Sequence, residues 1–305
     1  MKQMVWVAGA AVLLTGCGLG MNNGRQIPKE GVAAAIQVNL PKASQEAQVV
    51  ATVYKDGVAQ PLVGGDVIQA RTAQSLSTLR AEKNLDGHYQ GVLAVDHADT
   101  PIDVAVNYDD KASSEQRWFA SDTLTVSPGP GSLVGYEVTG MRLPPEIYLS
   151  APMANTVYRD MSDTVELHWD PLALGHQVRL TAAVSCVAAG LPFSYGLSFD
   201  LGKETDTTTG SYSLRMNKLV TAVPVVVALR KVLDYLSLYA SQQMLGQGNF
   251  LAILGSLPKS DNEINKCDVD LTLIREQENT LPPAFSGGYA ITSRSDTVRV
   301  QYVQQ

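Results

Sequence analysis

The side chains able to do chemistry are few in this chain, and their spacing does not favour catalysis. The four histidines are His88, His97, His168 and His176, and no two stand at the His-Glu-x-x-His separation that sets two imidazoles on one helix face for zinc. His168 and His176 fall near successive predicted strands and can meet across a sheet. No third ligand accompanies them, so both read as solvated outer-face residues. Ser256-Leu257-Pro258-Lys259 sets a serine three positions before a lysine, but Pro258 interrupts the helix that pairing needs, and no Lys-Thr-Gly follows. There is no Gly-x-Ser-x-Gly elbow and no glycine-rich phosphate loop after a strand. Acidic runs at 108–115 (YDDKASSE) and 260–268 (SDNEINKCD) offer loop oxygens of the kind calcium takes. Neither has the Asp-x-Asp-x-Asp-Gly order, and both read as solvated loops. Tyr54, Tyr108, Trp118 and Phe119 would make a sugar platform if exposed, with core insertion as the other reading. The chain is therefore expected to need no cofactor and not to be an enzyme.

Cysteine is the remaining reactive type, at Cys17, Cys186 and Cys267. Cys17 ends a characteristic segment. Lys2 supplies a positive start, and Met4–Leu14 is an apolar run too short to cross about 30 Å of hydrocarbon. Leu14-Thr15-Gly16-Cys17 then resembles the lipobox of bacterial lipoproteins, in which an aliphatic residue and two small ones precede the cysteine. The resemblance covers only this segment. It implies a signal peptide over residues 1–16, removed by cleavage, and fatty acylation of Cys17 on sulfur and on its new amine. Each buried methylene contributes about 0.8 kcal/mol, so one chain holds weakly and several hold firmly. Gly18 stands where an Asp would signal retention in the inner membrane of a Gram-negative cell, so the family pattern implies sorting to the outer membrane in such a host. Residues 17–31, rich in Gly and Asn, read as a tether.

With Cys17 set apart, Cys186 and Cys267 are expected to pair in an oxidising compartment, two separately buried thiols being the alternative. The balance of charge limits partners. Net charge is −7 with pI near 5.1, so a nucleic-acid partner, which needs a basic face, is disfavoured.

From residue 32 onward, period-two alternation broken by turn signals predicts strands at Ala33–Leu40, Ala47–Tyr54, Asp66–Ala70, Ser77–Ala81, His88–Val95, Ile102–Tyr108 and Thr123–Val126. Seven short strands in about a hundred residues predict an immunoglobulin-sized sandwich over 32–128. Residues 129–143 read as a linker, because Ser127-Pro128-Gly129-Pro130-Gly131 cannot sustain a ladder. A second β-sandwich is expected over 144–305. It starts with Pro144–Pro152, Asp163–Pro171 and His176–Cys186, and resumes at Cys267–Glu276 and Tyr289–Val303. Its Pro-bounded first strand, its strand ending Trp169-Asp170-Pro171 and its alternating third strand resemble a fibronectin type III or related immunoglobulin-like domain, which implies that Trp169 is core. Gly87-His88-Tyr89 and Gly210-Ser211-Tyr212 each begin a strand and resemble the tyrosine corner of such sandwiches, in which the hydroxyl bonds back to backbone.

Between these strands Val225–Leu245 carries apolar residues at helical spacing (Leu229, Val232, Leu233, Leu236, Ala240) among Arg230, Lys231 and Asp234. The second sandwich is thus expected to hold an inserted amphipathic helical segment at about 225–254. It would cover an open face or dock a partner. The sequence as a whole predicts an all-β lipoprotein that acts as a binding or structural module, held to the membrane through Cys17 and recognising an envelope protein or glycan. An accessory subunit of a secretion or appendage assembly docking through 225–254, and a hydrolase with a fold-assembled site, are the alternatives.

Overall fold

The computed structural model describes residues 27–62, 65–82, 87–96, 99–108, 133–172, 175–188, 191–204, 210–220 and 264–304. Cys17, Thr123–Val126, Ser256, Lys259 and the segment 225–254 lie outside them. The chain is all-β with sandwich-like sheets. The seventeen strands run in chain order as β1 Val32–Pro41, β2 Glu46–Lys55, β3 Val58–Ala59, β4 Asp66–Arg71, β5 Leu76–Thr78, β6 Arg80–Ala81, β7 His88–Ala94, β8 Ile102–Tyr108, β9 Glu137–Met141, β10 Leu149–Ala151, β11 Val157–Tyr158, β12 Thr164–Trp169, β13 Gln177–Ala188, β14 Leu191–Lys203, β15 Ser211–Arg215, β16 Ile264–Asn279 and β17 Gly287–Val303. The described helix is one short piece, Met216–Val220.

One long sheet forms the spine, ordered β14-β13-β16-β17-β1-β2-β7-β6. A four-stranded sheet, β5-β4-β8-β9, faces its N-terminal end, and a three-stranded sheet, β10-β12-β15, faces its C-terminal end. Alternation decides which side chains point inward. Ile36, Val38, Val49, Ile68, Leu93, Val104 and Val138 meet in the N-terminal core, and Val165, Leu167, Leu180, Val184, Leu271 and Val300 in the C-terminal core.

β16 and β17 join the two lobes. β17 runs parallel to β1 from Ala33↔Gly287 to Pro41↔Ser295, and its far end pairs with β11. β16 accompanies it from Lys266↔Val303 to Asn279↔Ala290. Residues near the C-terminus therefore complete the sheet that the N-terminal strands begin. Gly288 permits the close start of that parallel pair: its φ is +109°, and a Cβ there would run into the Ala34 carbonyl.

Several local readings differ from the sequence pattern. Ser77–Ala81, expected as one strand, is two: β5 pairs with β4 and β6 with β7, with Leu79 turned into the core between them. Glu137–Met141, inside the stretch read as linker, is a strand of the facing sheet. β14 was not anticipated, although Tyr195, Leu197, Phe199 and Leu201 alternate along it and pack against the C-terminal core.

Candidate functional site

Polar chemistry concentrates where the lobes meet, on the inward face of β16 and β17. Arg275 and Arg294 are register partners there, in step with Leu271 and Leu273 on one strand and with Val298 and Val300 on the other. An arginine at an inward position needs acceptors for five N–H groups, and the chain brings them from three places. Glu204, at the end of β14, takes Arg275 Nε and Nη2, both at 2.8 Å. Nη2 also donates to the Asp170 carbonyl at 2.9 Å, and Nη1 donates to the carbonyls of Pro145, at 3.3 Å, and Glu146. Trp169 Nε1 donates to Glu204 Oε1 at 3.1 Å. Both charged side chains are fully shut off from solvent. Every donor of the guanidinium is used, the condition under which a buried ion pair persists.

Residues 142–149 lie as a strap across this face, and a ladder of polar groups latches them. Thr292 Oγ1 donates to the Arg142 carbonyl and accepts from Asn279 Nδ2 at 3.0 Å, while Arg142 N donates to Asn279 Oδ1 at 3.2 Å. Arg294 Nη1 donates to Glu146 Oε1 at 2.9 Å, and Arg294 Nε is buried without a hydrogen-bond partner. Asp296 Oδ2 accepts from Leu149 N at 2.8 Å and from Lys42 Nζ at 2.7 Å, and that ammonium lies 5.0 Å from the Tyr148 ring centroid. On the opposite face Arg179 and Glu276 pair at 3.2 Å. Chemically the arrangement is a latch: its charges are paired internally, and it fixes the strap and both lobes to one pair of strands.

His176 borders the latch through its carbonyl, which accepts from Glu204 N at 2.8 Å. Burial pushes its pKa down, the positive charge of Arg275 pushes the same way, and Glu204 opposes them. His168 instead lies exposed on β12 in the three-stranded sheet, whereas His176 immediately precedes β13 of the long sheet. His88 contacts Thr52, with Nδ1 and Oγ1 2.9 Å apart. His97 lies outside the described residues. Among the described residues no group of three or more His, Cys, Asp or Glu side chains could hold a metal ion. Residues 109–115 of the first acidic run, 260–263 of the second, and Trp118 and Phe119 are likewise outside them.

Cys186 and Cys267 form a disulfide, joining directly opposed positions of β13 and β16 with a Cα–Cα distance of 4.0 Å. Tyr89 is buried, and its hydroxyl accepts the backbone N–H of Leu62 at 2.7 Å, twenty-seven residues upstream. Tyr212 is half-buried opposite Leu167. The latch itself was missed in the sequence. Its signal was parity: Arg275, Arg294 and Asp296 sit at inward positions of strands that otherwise bury aliphatic residues.

No family model matches the chain, and no curated protein matches it in sequence. Solved structures with weak likeness to the chain include the following three. A Salmonella alpha-2-macroglobulin mutant matches at 10% identity over 90% of this chain and 15% of its own, with a TM-score of 0.22. The FN1–FN3 domains of chicken CNTN1 match at 12% identity over 91% of this chain and 68% of theirs, with a TM-score of 0.17. CBD12 from CALX1.2 matches at 9% identity over 88% and 99%, with a TM-score of 0.18. The chain thus spans about a seventh of the macroglobulin's length. The class rests on the sheets themselves: an all-β protein of two sandwich-like lobes on one spine.

Proposed function

We propose that the chain is a lipid-anchored envelope protein that works as a non-enzymatic binding or structural module for a protein or glycan partner. The observation that carries this reading is Leu14-Thr15-Gly16-Cys17, placed behind Lys2 and the apolar run Met4–Leu14. Cys17 precedes β1 at Val32 by fifteen positions, and fifteen extended residues reach at most about 50 Å, so the sheets can stand clear of a bilayer surface while tethered to it. The latched waist adds support, because a recognition surface works best on elements whose own positions are fixed. Outer-membrane placement goes with Gly18 in a Gram-negative host.

The test is metabolic labelling with an alkyne fatty acid followed by envelope fractionation. The natural chain takes up label and sediments with membranes, and Cys17→Ser loses both properties. An unlabelled natural chain, or a Cys17→Ser chain that still sediments, overturns the anchor. Crosslinking in intact cells then identifies what lies beside the sheets.

A further inference from the structure

Among the described residues the long sheet ends on β14, which pairs with β13 from Gln177↔Lys203 to Ala188↔Leu191 and has no strand on its other side. An open strand edge is a row of unpaired N–H and C=O groups, and proteins guard such edges with charge, proline, bulges or brevity. β14 is guarded only near its ends. It is thirteen residues long, its one proline is Pro192, and residues 191–199 hold no Asp, Glu, Lys or Arg. The irregularity in its pairing falls at Val178/Arg179, beside its last residues. The opposite edge, β6, is two residues long and carries Arg80.

Parity decides which backbone groups of β14 are open. Cys186 and Cys267 stand 4.0 Å apart at Cα, the close spacing of an antiparallel pair that exchanges no hydrogen bonds, so Cys186 turns its N–H and C=O toward Phe193 of β14. Successive residues alternate. Tyr195, Leu197 and Phe199 therefore also bond to β13, whereas Ser194, Gly196 and Ser198 point their N–H and C=O off the sheet. These three are exposed on the outer face, so the edge is open to an approaching strand. On the core side Tyr195, Leu197, Phe199 and Leu201 are half-buried.

A second copy of the same strand complements this edge. An antiparallel pair about Gly196 sets Ser194 opposite the partner's Ser198 and Leu197 opposite the partner's Tyr195, so hydroxyls face hydroxyls and half-buried apolar side chains cover one another. Charge selects the orientation. Asp200 and Lys203 lie at one end of β14, so an antiparallel copy sets each against the uncharged end, while an in-register parallel copy stacks like on like. We propose that β14 is a self-association edge, through which two copies of the chain join antiparallel about Gly196 into one continuous sheet. The inference goes beyond the binding-module reading and needs no lipid on Cys17.

Sedimentation of the full chain in detergent across a concentration series tests it. The natural chain is dimeric. Ser198→Pro removes an edge-facing N–H, leaves the ladder to β13 whole, and weakens association about ten-fold or more. Gly196→Lys opposes two ammonium groups and also weakens it; among the described residues no atom beyond the chain neighbours lies within 4 Å of a Cβ there, so the fold accepts the side chain. Circular dichroism checks that each variant keeps its strands. After mild oxidation, Gly196→Cys links two chains on non-reducing gels. Ala183→Cys, exposed one strand further in, does not, because three strand spacings, about 14 Å, separate it from its counterpart. A monomeric natural chain, a dimer unmoved by both variants, or linking by Ala183→Cys as fast as by Gly196→Cys overturns the proposal. In the monomeric case, Gly196→Cys joined to a different protein gives the edge to a foreign strand, and Gly196→Cys joined to nothing leaves it to the chain itself.

Discussion

The two lobes share one sheet and are secured in different ways. In the N-terminal lobe four strands face the spine, and the core is a single apolar cluster drawn from nearly every strand. Its ion pair Arg71–Asp103 lies at the surface, where such pairs contribute little. In the C-terminal lobe three short strands face the spine among the described residues, and Tyr195, Leu197, Phe199 and Leu201 on β14 are half-buried. That lobe carries the disulfide and the buried Arg275–Glu204 pair. Where the facing sheet is broad, apolar burial suffices to hold the layers. In the described part of the C-terminal lobe, a covalent and an ionic link add to the apolar core.

The strongest way to break this comparison is Glu204→Ala. It leaves the Arg275 charge and the Trp169 N–H buried without their acceptor, and the expected loss is up to about 5 kcal/mol by urea unfolding. Glu204→Leu combined with Arg275→Met removes both charges and recovers most of that loss. Because β17 contributes to both cores and pairs with strands of both lobes, spectroscopic probes in either lobe follow one shared transition. A Glu204→Ala chain within 1 kcal/mol of the natural one, as an order of magnitude, would mean that water replaces the carboxylate and that the latch is not a stabilising link.

Next in size is the disulfide. Cys186→Ala with Cys267→Ala frees a loop with a sequence separation of 81, and the loop-entropy estimate gives about 4 kcal/mol. Reductant is expected to lower the midpoint of the natural chain and to leave the double variant unchanged. If the double variant unfolds at the natural midpoint, the covalent half of the comparison falls.

Legibility in the sequence divides along the same physical line. β12, β13 and the outer half of β17 were readable because each has one apolar and one polar face, and strict alternation records that directly. The β13–β16 disulfide was readable because setting Cys17 apart on its lipobox resemblance leaves one pair of cysteines. The middle of β17 was read within the strand expected over Tyr289–Val303, but Ala290–Asp296 is buried on both faces, so its alternation does not show which side meets the core. The parallel β1–β17 pairing leaves no local trace, since Ala33 and Gly287 are brought together only by the whole fold. Glu204 as partner of Arg275, 71 positions away, and Tyr289 beside Tyr54 were hidden for the same reason. Parity marks which side chain must find a partner and says nothing about which one.

In the N-terminal lobe the matching probe is smaller. Tyr89→Phe keeps the ring in the core and removes the acceptor for the Leu62 N–H, so about 1 kcal/mol is expected, again from urea unfolding. A loss as large as that of the disulfide would show that this lobe too hangs on a single polar link, and the contrast between the lobes would vanish.

The smallest effect is one of pH and bears on the latch. His176 has its folded-state pKa held below the ordinary value near 6.5 by burial and by Arg275. The unfolded chain therefore binds the proton more readily than the folded one. Between the ordinary value and the lowered folded value, stability falls as pH falls, and above the ordinary value this contribution is fully present. His176→Gln removes the titration, so the natural chain should lose stability relative to the variant as pH drops below 6.5. Arg275→Met, which takes away the second cause of the shift, raises the folded value toward 6.5, so the loss still begins near 6.5 but ends at a higher pH and is smaller in total. The direction of that change follows from the folded value rising toward the unfolded one: the stability lost to protonation shrinks, and parallel pH profiles for the natural chain and Arg275→Met would show that the latch charge does not reach the histidine.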